Sequence, residues 1–343
     1  HFPGNGAGLD GVCLEDMALE VSSPGLGDLR ESMAIVRTAE GDTLTDFRFE
    51  GAEVLEEKPE LEGLPSAYDE TGGCRTLRVS LLEKRGGLRL ELLYTTFDRC
   101  DVITRSARLV NLGGRPVTVL RLLSSQVDFD EQGYLFTSFN GAWAREFEPV
   151  RTECGPGTVS GGSRTGCSSN RANPFVMLEG RGTDETHGDC YGFHLLYSGD
   201  HFECACGNAY GKLRFLQGIQ PEGFSWRLEP GEGFCTPEAA MTYGWGAAEM
   251  SGNLHAFIRE HVVRGWWKRR VRPVLVNSWE SFYFRFTQKD LLRLARQGKE
   301  LGAELFVLDD GWFGRRDNDR RSLGDWDITD RRQLPEGLGG LAR

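Results

Sequence analysis

Apolar and polar residues alternate in short runs through the first two thirds of the chain. Between Arg75 and Asp128, short turns, two of which contain glycine, separate the runs "RTLRVSLLEK", "LRLELLYTTF", "DVITRSARLVN" and "RPVTVLRLLSS". This pattern is typical of hairpins in an antiparallel sheet. It returns at "YGFHLLYSG", "GKLRFLQGI" and "FSWRLEPGEGFCTPEAAMTY", where "PGE" predicts a turn between two strands. Because many short strands bury their apolar faces only against a second sheet, residues 1–245 predict one large β-sandwich domain.

The spacing of apolar residues changes after the sandwich. Between residues 246 and 272, side chains suited to burial recur every three or four positions, which predicts one amphipathic linker helix of about 20 residues. These residues are Met250, Leu254, Phe257, Ile258, His261 and Val262.

Residues 273–343 follow a strand, helix, strand pattern. "RPVLVNSW" predicts a strand, "TQKDLLRLARQGKELG" a helix with Thr287 as its N-cap and Gly302 at its end, and "AELFVLDDGW" a second strand. A helix of about 15 residues between two strands requires a right-handed crossover, so the strands should be parallel neighbours.

Four residues at the ends of these two strands are candidates for a binding site. Ligands of parallel α/β folds gather at the carboxyl ends of the strands. The first predicted strand ends at Trp279, and the second ends with Asp309, Asp310 and Trp312. The aspartates are therefore expected to face a site.

Paired carboxylates beside tryptophans suit a sugar, whose hydroxyls donate to carboxylates while its apolar face lies on an aromatic ring. The pattern leaves two scaffold interpretations open. Asp309 could bond backbone amides of its own loop, and Trp279 could fill a core. A calcium loop starting at Asp317 is excluded, because its sixth position is Ser322 where the EF-hand requires glycine.

Length and charge narrow the class of protein. A chain of 343 residues predicts two domains, and a formal charge of −11 argues against a nucleic-acid-binding protein. The basic run Lys268, Arg269, Arg270 and Arg272 is interpreted as a solvated helix end. No apolar stretch approaches the ~20 residues that cross a bilayer, so no membrane association is expected.

The cysteines predict free thiols rather than disulfides or a metal site. An odd number, nine, is scattered along a large chain, which favours a reduced protein in the cytoplasm. The segment "HFECAC" offers His201, Cys204 and Cys206, but in a strand His201 points away from the two cysteines. Since no second pair stands at zinc-finger spacing, no metal or other cofactor is predicted.

Several long motifs resemble the α-galactosidases of glycoside hydrolase family 36. "NSWES" is similar to a strand end of that family, and "LDDGWFG" followed by "SLGDW" and "LPEGLGGLA" is similar to the loop after its second barrel strand. "EGLPSAY", "DVITRSARLVN", "GAWARE", "NPFVML" and "YGFHLLYSG" extend the resemblance upstream to about Gly25.

The resemblance implies a fold and a function. The fold is an N-terminal β-supersandwich followed by a (β/α)₈ TIM barrel, of which residues 273–343 would supply the first two strands. In similar enzymes the adjacent aspartates bond the 4- and 6-hydroxyls of galactose, which assigns those roles to Asp309 and Asp310. The family's tryptophan in the first motif shapes the sugar pocket, which suggests Trp279; Trp312, beside the aspartates, is a further candidate for contact with the sugar.

The resemblance places the catalytic pair outside this chain. The family retains anomeric configuration with two carboxyl groups roughly 5 Å apart, on later barrel strands. No catalytic residue is therefore expected before Arg343, and the chain alone should be inactive. Truncation of a cytoplasmic α-galactosidase acting on melibiose- or raffinose-type oligosaccharides is the favoured hypothesis, with a homo-oligomer expected for the full-length enzyme. A non-catalytic sugar-binding or assembly module and a related α-N-acetylgalactosaminidase are the alternatives.

Overall fold

The computed structural model describes residues 21–22 and 30–343, except Glu62, Thr71, Lys84 and Gly86. The predicted free thiol of Cys13 and the start of the first predicted domain lie outside the described residues. The chain forms two compact units, His1–Val263 and Arg264–Arg343. The domain limits at residues 245 and 272 stay predictions.

Antiparallel strands build the first unit. They are β1 Val21–Ser22, β2 Ala34–Arg37, β3 Asp46–Leu55, β4 Cys74–Glu83, β5 Leu88–Phe97, β6 Cys100–Asn111, β7 Val117–Phe129, β8 Leu135–Ala142, β9 Arg145–Glu153, β10 Gly157–Gly162, β11 Ala172–Glu179, β12 Asp189–Leu195, β13 His201–Gly207, β14 Leu213–Ile219, β15 Trp226–Leu228, β16 Gly233–Cys235 and β17 Ala239–Trp245.

The strands form two sheets. The larger has the order β1-β3-β4-β5-β6-β17-β12-β11-β8-β9, with β16 also paired to β6. The smaller has the order β10-β13-β14-β7-β15, with β2 paired to β7. The predicted "PGE" turn lies between β15 and β16, which pair with different sheets, so it carries the chain from one sheet to the other.

The apolar core lies between the two sheets. Leu81, Leu90 and Leu109 stand opposite one another on β4, β5 and β6, and all three side chains are fully buried. Farther along, Phe193 of β12 stacks on Phe215 of β14 with ring centroids 4.0 Å apart. The alternation that predicted the hairpins therefore marks the residues that join the sheets.

β9 is the outermost strand of the larger sheet in the described order, and its whole length is exposed. Apart from the residues that bond β8, two residues of β9 offer no free N–H group. Pro149 has none, and the N–H of Phe147 donates to the carbonyl of Asn170 at 2.9 Å. This sheet edge is therefore interrupted.

The predicted helix between residues 246 and 272 is shorter than expected. Helix α1 covers Ala247–Phe257, continues as a π-helix over Ile258–Val262, and stops where Val263 adopts an extended backbone. After Gly265, whose φ is 75°, a separate 3₁₀ helix covers Trp266–Arg269. The positive φ suits glycine and separates the two helical segments.

Helix α1 lies directly against the larger sheet. Its Met250, Leu254 and Phe257 are buried. A Cβ atom on Gly192 of β12 would meet the Met250 sulfur at 2.4 Å, and one on Gly244 would meet the Met250 nitrogen at 2.2 Å. The absence of side chains at these glycines permits the close packing of helix and sheet.

A buried ion pair secures the loop after β3. Lys58 Nζ lies 3.2 Å from a carboxylate oxygen of Glu238, and both side chains are almost fully buried. The other Glu238 oxygen accepts the N–H of Ala67 at 2.6 Å. The loop is thus fixed at two points to the residue preceding β17.

We expect Lys58→Met to lower the free energy of unfolding by about 3–5 kcal/mol, because it leaves a buried carboxylate without its counter-charge. Urea unfolding checks this. The double variant Lys58→Met/Glu238→Gln should recover most of the loss, since glutamine keeps an oxygen for Ala67. Arg75→Met removes an ion pair with Glu56 in which both side chains are exposed. It should lower the free energy of unfolding by less than about 1 kcal/mol. Equal losses in the two single variants would contradict a special role for the buried pair.

The second unit has two short parallel strands. Its elements are β18 Leu275–Asn277, α2 Trp279–Phe282, α3 Gln288–Glu300, β19 Leu305–Val307 and α4 Gly337–Ala342. Thr287 caps α3 as predicted, through reciprocal hydrogen bonds with Asp290. A small core of Phe286, Leu291 and Leu334 lies within the unit.

The predicted fold class, a β-rich supersandwich followed by the start of a parallel α/β domain, is confirmed. The strands β18 and β19 pair in parallel with Leu275 opposite Leu305 and Asn277 opposite Val307. Among the described helices, none has the length and hydropathy needed to span a membrane.

Candidate functional site

Hydrogen bonds tie together the segments that follow β18 and β19. The N–H of Ser278 donates to the carbonyl of Val307 at 3.0 Å. The buried Ser278 Oγ accepts the N–H of Asp309 at 3.1 Å. The residues after the two strands therefore lie side by side, as the predicted parallel pairing requires.

Asp309 is held by a residue from each strand segment. Asn277 Nδ2 donates to Asp309 Oδ2 at 2.7 Å, and the N–H of Asp310 donates to Asp309 Oδ1 at 2.7 Å. An ionised carboxylate offers about four lone-pair positions, so each oxygen keeps acceptor capacity for a ligand. Asp309 thus does bond a backbone amide of its own loop, that of Asp310, and it can still accept hydrogen bonds from a ligand.

The Asp310 carboxylate accepts hydrogen bonds from a different side chain, that of Arg316. Arg316 Nε lies 2.7 and 2.8 Å from the two Asp310 oxygens, and the N–H of Gly311 donates to Oδ1 at 2.8 Å. Gly311 has φ 95°, a conformation that side-chain-bearing residues rarely adopt. The turn therefore sends the two carboxylates to separate partners, Asn277 and Arg316, while both remain half-buried.

Arg316 is itself immobilised. Its Nη1 donates to the carbonyls of Asn318 at 3.3 Å and Arg321 at 2.8 Å. Its guanidinium carbon lies 5.5 Å from the ring centroid of Phe284 and 5.9 Å from that of Phe313. The hydrogen bond to Asp310 raises the pKa of Arg316 above its usual value. The site therefore contains a permanent positive charge behind one of its carboxylates.

Trp279 lies at the start of α2, beyond the end of β18. Asn277 Oδ1 accepts the N–H of Trp279 at 2.7 Å, which turns the chain out of the strand two residues earlier than predicted. The half-buried indole contacts Tyr283 and Phe284 edge to face, at centroid distances of 5.2 and 4.9 Å. Trp279 thus combines aromatic packing with partial exposure.

Trp312 is also half-buried. It packs against the small core formed by Phe286, Leu291 and Leu334, and its ring meets that of Phe313 edge to face at 5.2 Å. The sequence left open that Trp279 fills a core. In the structure, Trp312 is the tryptophan that packs partly against this small core. The sugar-contact roles of both tryptophans stay predictions.

The sequence did not identify three residues of the site, which are Asn277, Ser278 and Arg316. The strand-end position of Asn277, immediately before "SW", was a usable signal, because an amide there lies level with the end of the next parallel strand. For Arg316 the sequence gives no such signal. It stands in the charged run "RRDNDRR", whose pattern does not indicate which arginine is buried.

The described residues contain no group of three or more histidine, cysteine or acidic side chains arranged to hold a metal ion. In the "HFECAC" segment the polar side chains have other partners. His201 bonds Glu203 at 2.7 Å and the carbonyl of Ala172 at 3.0 Å, and Cys206 Sγ accepts from Thr158.

The geometry suits recognition of hydroxyl groups. Both aspartates present charged acceptors whose orientation is fixed, and a hydroxyl that donates to a charged acceptor forms a strong bond. A double displacement would require an unencumbered carboxylate and a carboxylic acid roughly 5 Å apart across a sugar. Each aspartate is instead bound to its own positioning donor.

Two family models match consecutive parts of the chain. The glycosyl hydrolase family 36 N-terminal domain matches residues 5–229, and the melibiase domain matches residues 233–343. Alpha-galactosidase AgaA of Geobacillus stearothermophilus is 42% identical over 332 residues, covering 96% of this chain and 45% of AgaA. The bifunctional alpha-galactosidase/sucrose kinase AgaSK of Mediterraneibacter gnavus is 37% identical, covering 96% of this chain and 36% of AgaSK.

Solved structures of α-galactosidases also match most of this chain. The crystal structure of AgaA matches with a TM-score of 0.89 over 96% of this chain and 46% of AgaA, and variants of AgaA have been solved in complex with stachyose and with raffinose. An alpha-galactosidase of Lactobacillus brevis, 38% identical, matches with a TM-score of 0.88 over 94% of this chain and 44% of its own. The chain spans less than half the length of these relatives. It belongs to glycoside hydrolase family 36.

Proposed function

We propose that the protein containing these residues is a retaining α-galactosidase that removes terminal α-galactosyl residues from oligosaccharides of the melibiose and raffinose type. One observation carries the proposal. Two adjacent, separately fixed carboxylates stand at the carboxyl end of the second parallel strand, in a chain 42% identical to an α-galactosidase over almost its whole length.

In this proposal Asp309 and Asp310 accept hydrogen bonds from the 4- and 6-hydroxyls of the galactosyl unit. Galactose differs from glucose in its axial 4-hydroxyl, and a fixed charged acceptor rejects an epimer that cannot reach it. Trp279 and Trp312 border the sugar, on which aromatic rings pack well. The stachyose and raffinose complexes of AgaA variants support oligosaccharides as the substrate class.

We place the nucleophile and the acid/base outside these 343 residues. Asp309 and Asp310 are adjacent in sequence and are bound to Asn277 and Arg316, so neither is arranged for attack on an anomeric carbon. The chain covers 45% of AgaA, which leaves more than half of such a relative to supply the catalytic pair.

Location and assembly are further proposals. We propose that the protein works in the reducing cytoplasm, where thiols persist. The support is the eight cysteines of the described part, all of which are free. We also propose a homo-oligomeric enzyme.

The test is a chimera that joins residues 1–343 to the remaining segment of AgaA. We expect it to hydrolyse p-nitrophenyl α-galactoside, melibiose and raffinose, and to hydrolyse p-nitrophenyl α-glucoside far more slowly. The 343-residue chain alone, assayed in parallel, should give no turnover. A chimera that prefers the α-N-acetylgalactosaminide would favour the related activity. A folded chimera that hydrolyses none of these glycosides, together with sugar binding by the chain alone, would favour a non-catalytic module.

A further inference from the structure

Arg316 is the most completely buried basic residue of the loop between β19 and α4. Its side chain is 7% exposed, whereas that of Arg321 in the same loop is 48% exposed. We propose that Arg316 is a positioning residue that fixes the Asp310 carboxylate for the substrate and thereby sets selectivity at C4 or C6 of the sugar. This inference rests on the proposed function.

The hydrogen bonds determine how Asp310 is held. The terminal torsion of aspartate has a broad energy minimum, so a carboxylate without partners rotates easily. Here Arg316 Nε approaches both oxygens, at 2.7 and 2.8 Å, and the N–H of Gly311 adds a third contact at 2.8 Å. These contacts define the plane of the carboxylate before a sugar arrives.

Arg316 can hold Asp310 because the guanidinium is fixed from its other side. Nη1 donates to two carbonyls of the loop, those of Asn318 and Arg321. The rings of Phe284 and Phe313 flank the group. A guanidinium presents its donors in a rigid planar fork, so fixing one nitrogen fixes the others. An ammonium group in the same place is a single centre without that rigidity.

The positive charge also restricts what Asp310 can bind. A guanidinium only donates hydrogen bonds, so the carboxylate that faces it serves as an acceptor. Asp310 therefore recognises a donor, which a sugar hydroxyl supplies. A rotation of the carboxylate plane would misdirect this bond while leaving the rest of the sugar contacts unchanged.

The experiment compares Arg316→Lys and Arg316→Gln with Arg321→Lys in the chimera described above. Arg321→Lys is the matched control, because it makes the same change in the same loop at an exposed residue paired with Asp317. The measured quantity is kcat/KM for three p-nitrophenyl substrates: the α-galactoside, its analogue without the C6 hydroxymethyl group (the β-L-arabinopyranoside), and the α-glucoside, which is the 4-epimer. Thermal unfolding establishes that each variant folds.

We expect both Arg316 variants to lower kcat/KM for the α-galactoside by roughly 10- to 100-fold, with a smaller loss on one of the two analogues. Reduced selectivity against the C6 analogue assigns Asp310 to the 6-hydroxyl, and reduced selectivity against the 4-epimer assigns it to the 4-hydroxyl. Arg321→Lys should change neither ratio.

Three outcomes would overturn the inference. They are equal losses on all three substrates, unchanged selectivity in folded Arg316 variants, and failure of both variants to fold, which would make Arg316 a scaffold residue. If the unsubstituted chimera itself fails to hydrolyse the α-galactoside, the proposed function fails, and the inference falls with it. If the unsubstituted chimera is active and selective, any of the three outcomes removes only the Arg316 assignment.

Discussion

Replacing Asp310 by asparagine is expected to lower kcat/KM for p-nitrophenyl α-galactoside by about 10- to 150-fold in the chimera. A hydrogen bond to a charged group contributes about 1.5–3 kcal/mol, and the amide removes the charge from the acceptor. It also places an N–H₂ group toward Arg316, which needs an acceptor there. Because the bond is proposed to bind the sugar, steady-state kinetics should show the loss in kcat/KM across substrates that carry the recognised hydroxyl.

The control for this substitution is Asp317→Asn. Asp317 lies in the same loop, is exposed, and pairs with Arg321. It should change kcat/KM by less than about twofold, because exposed ion pairs contribute little. Equal effects of the two substitutions would remove Asp310 from the site and leave it as a loop residue.

Limited proteolysis of the 343-residue chain should leave a resistant fragment that ends between Val263 and Arg272. The first unit has its own buried core, and the exposed basic residues Arg264, Arg269, Arg270 and Arg272 follow it directly. Trypsin followed by mass spectrometry locates the cut. The second unit should be degraded quickly or aggregate.

The reason lies in the apolar strands of the second unit. Val274, Leu275 and Leu305 are 62%, 51% and 42% exposed. Each large apolar side chain left unburied lowers the stability of the unit by about 1.5–3 kcal/mol, which is a large fraction of the stability of a small domain.

The double variant Val274→Lys/Leu305→Lys should therefore reduce aggregation of the 343-residue chain without affecting the resistant fragment. A protease-resistant second unit in a soluble monomer would show that the chain covers these strands in another way and would revive the non-catalytic module.

The sequence predicted the hairpins well because period-two alternation reflects burial directly. Leu81, Leu90 and Leu109 face the core as the runs around them predicted. β9 shows the limit of this reasoning. All of its residues are exposed, so no periodic burial distinguishes it from a loop.

The sequence predicted part of the site for a physical reason as well. Apolar strands that end in polar residues identify an edge of a parallel sheet, and the structure does have Asp309 beside the end of the neighbouring strand, where its N–H donates to Ser278. Contacts that depend on loop conformation could not be predicted. The bond between Asp310 and Arg316 requires Gly311 at positive φ and a loop that folds back over six positions, and neither follows from residue type.

The interrupted edge at β9 has a consequence for assembly. A sheet edge recruits another chain by offering a regular series of donors and acceptors, and this template is what drives cross-β growth. With Pro149 lacking a donor and Phe147 already bonded to Asn170, a second copy could not extend the sheet without leaving gaps in the new ladder. Copies of this protein that associate along β9 must therefore recognise one another there by the shapes and charges of their side chains, and the folded strand is a poor template for fibrous growth.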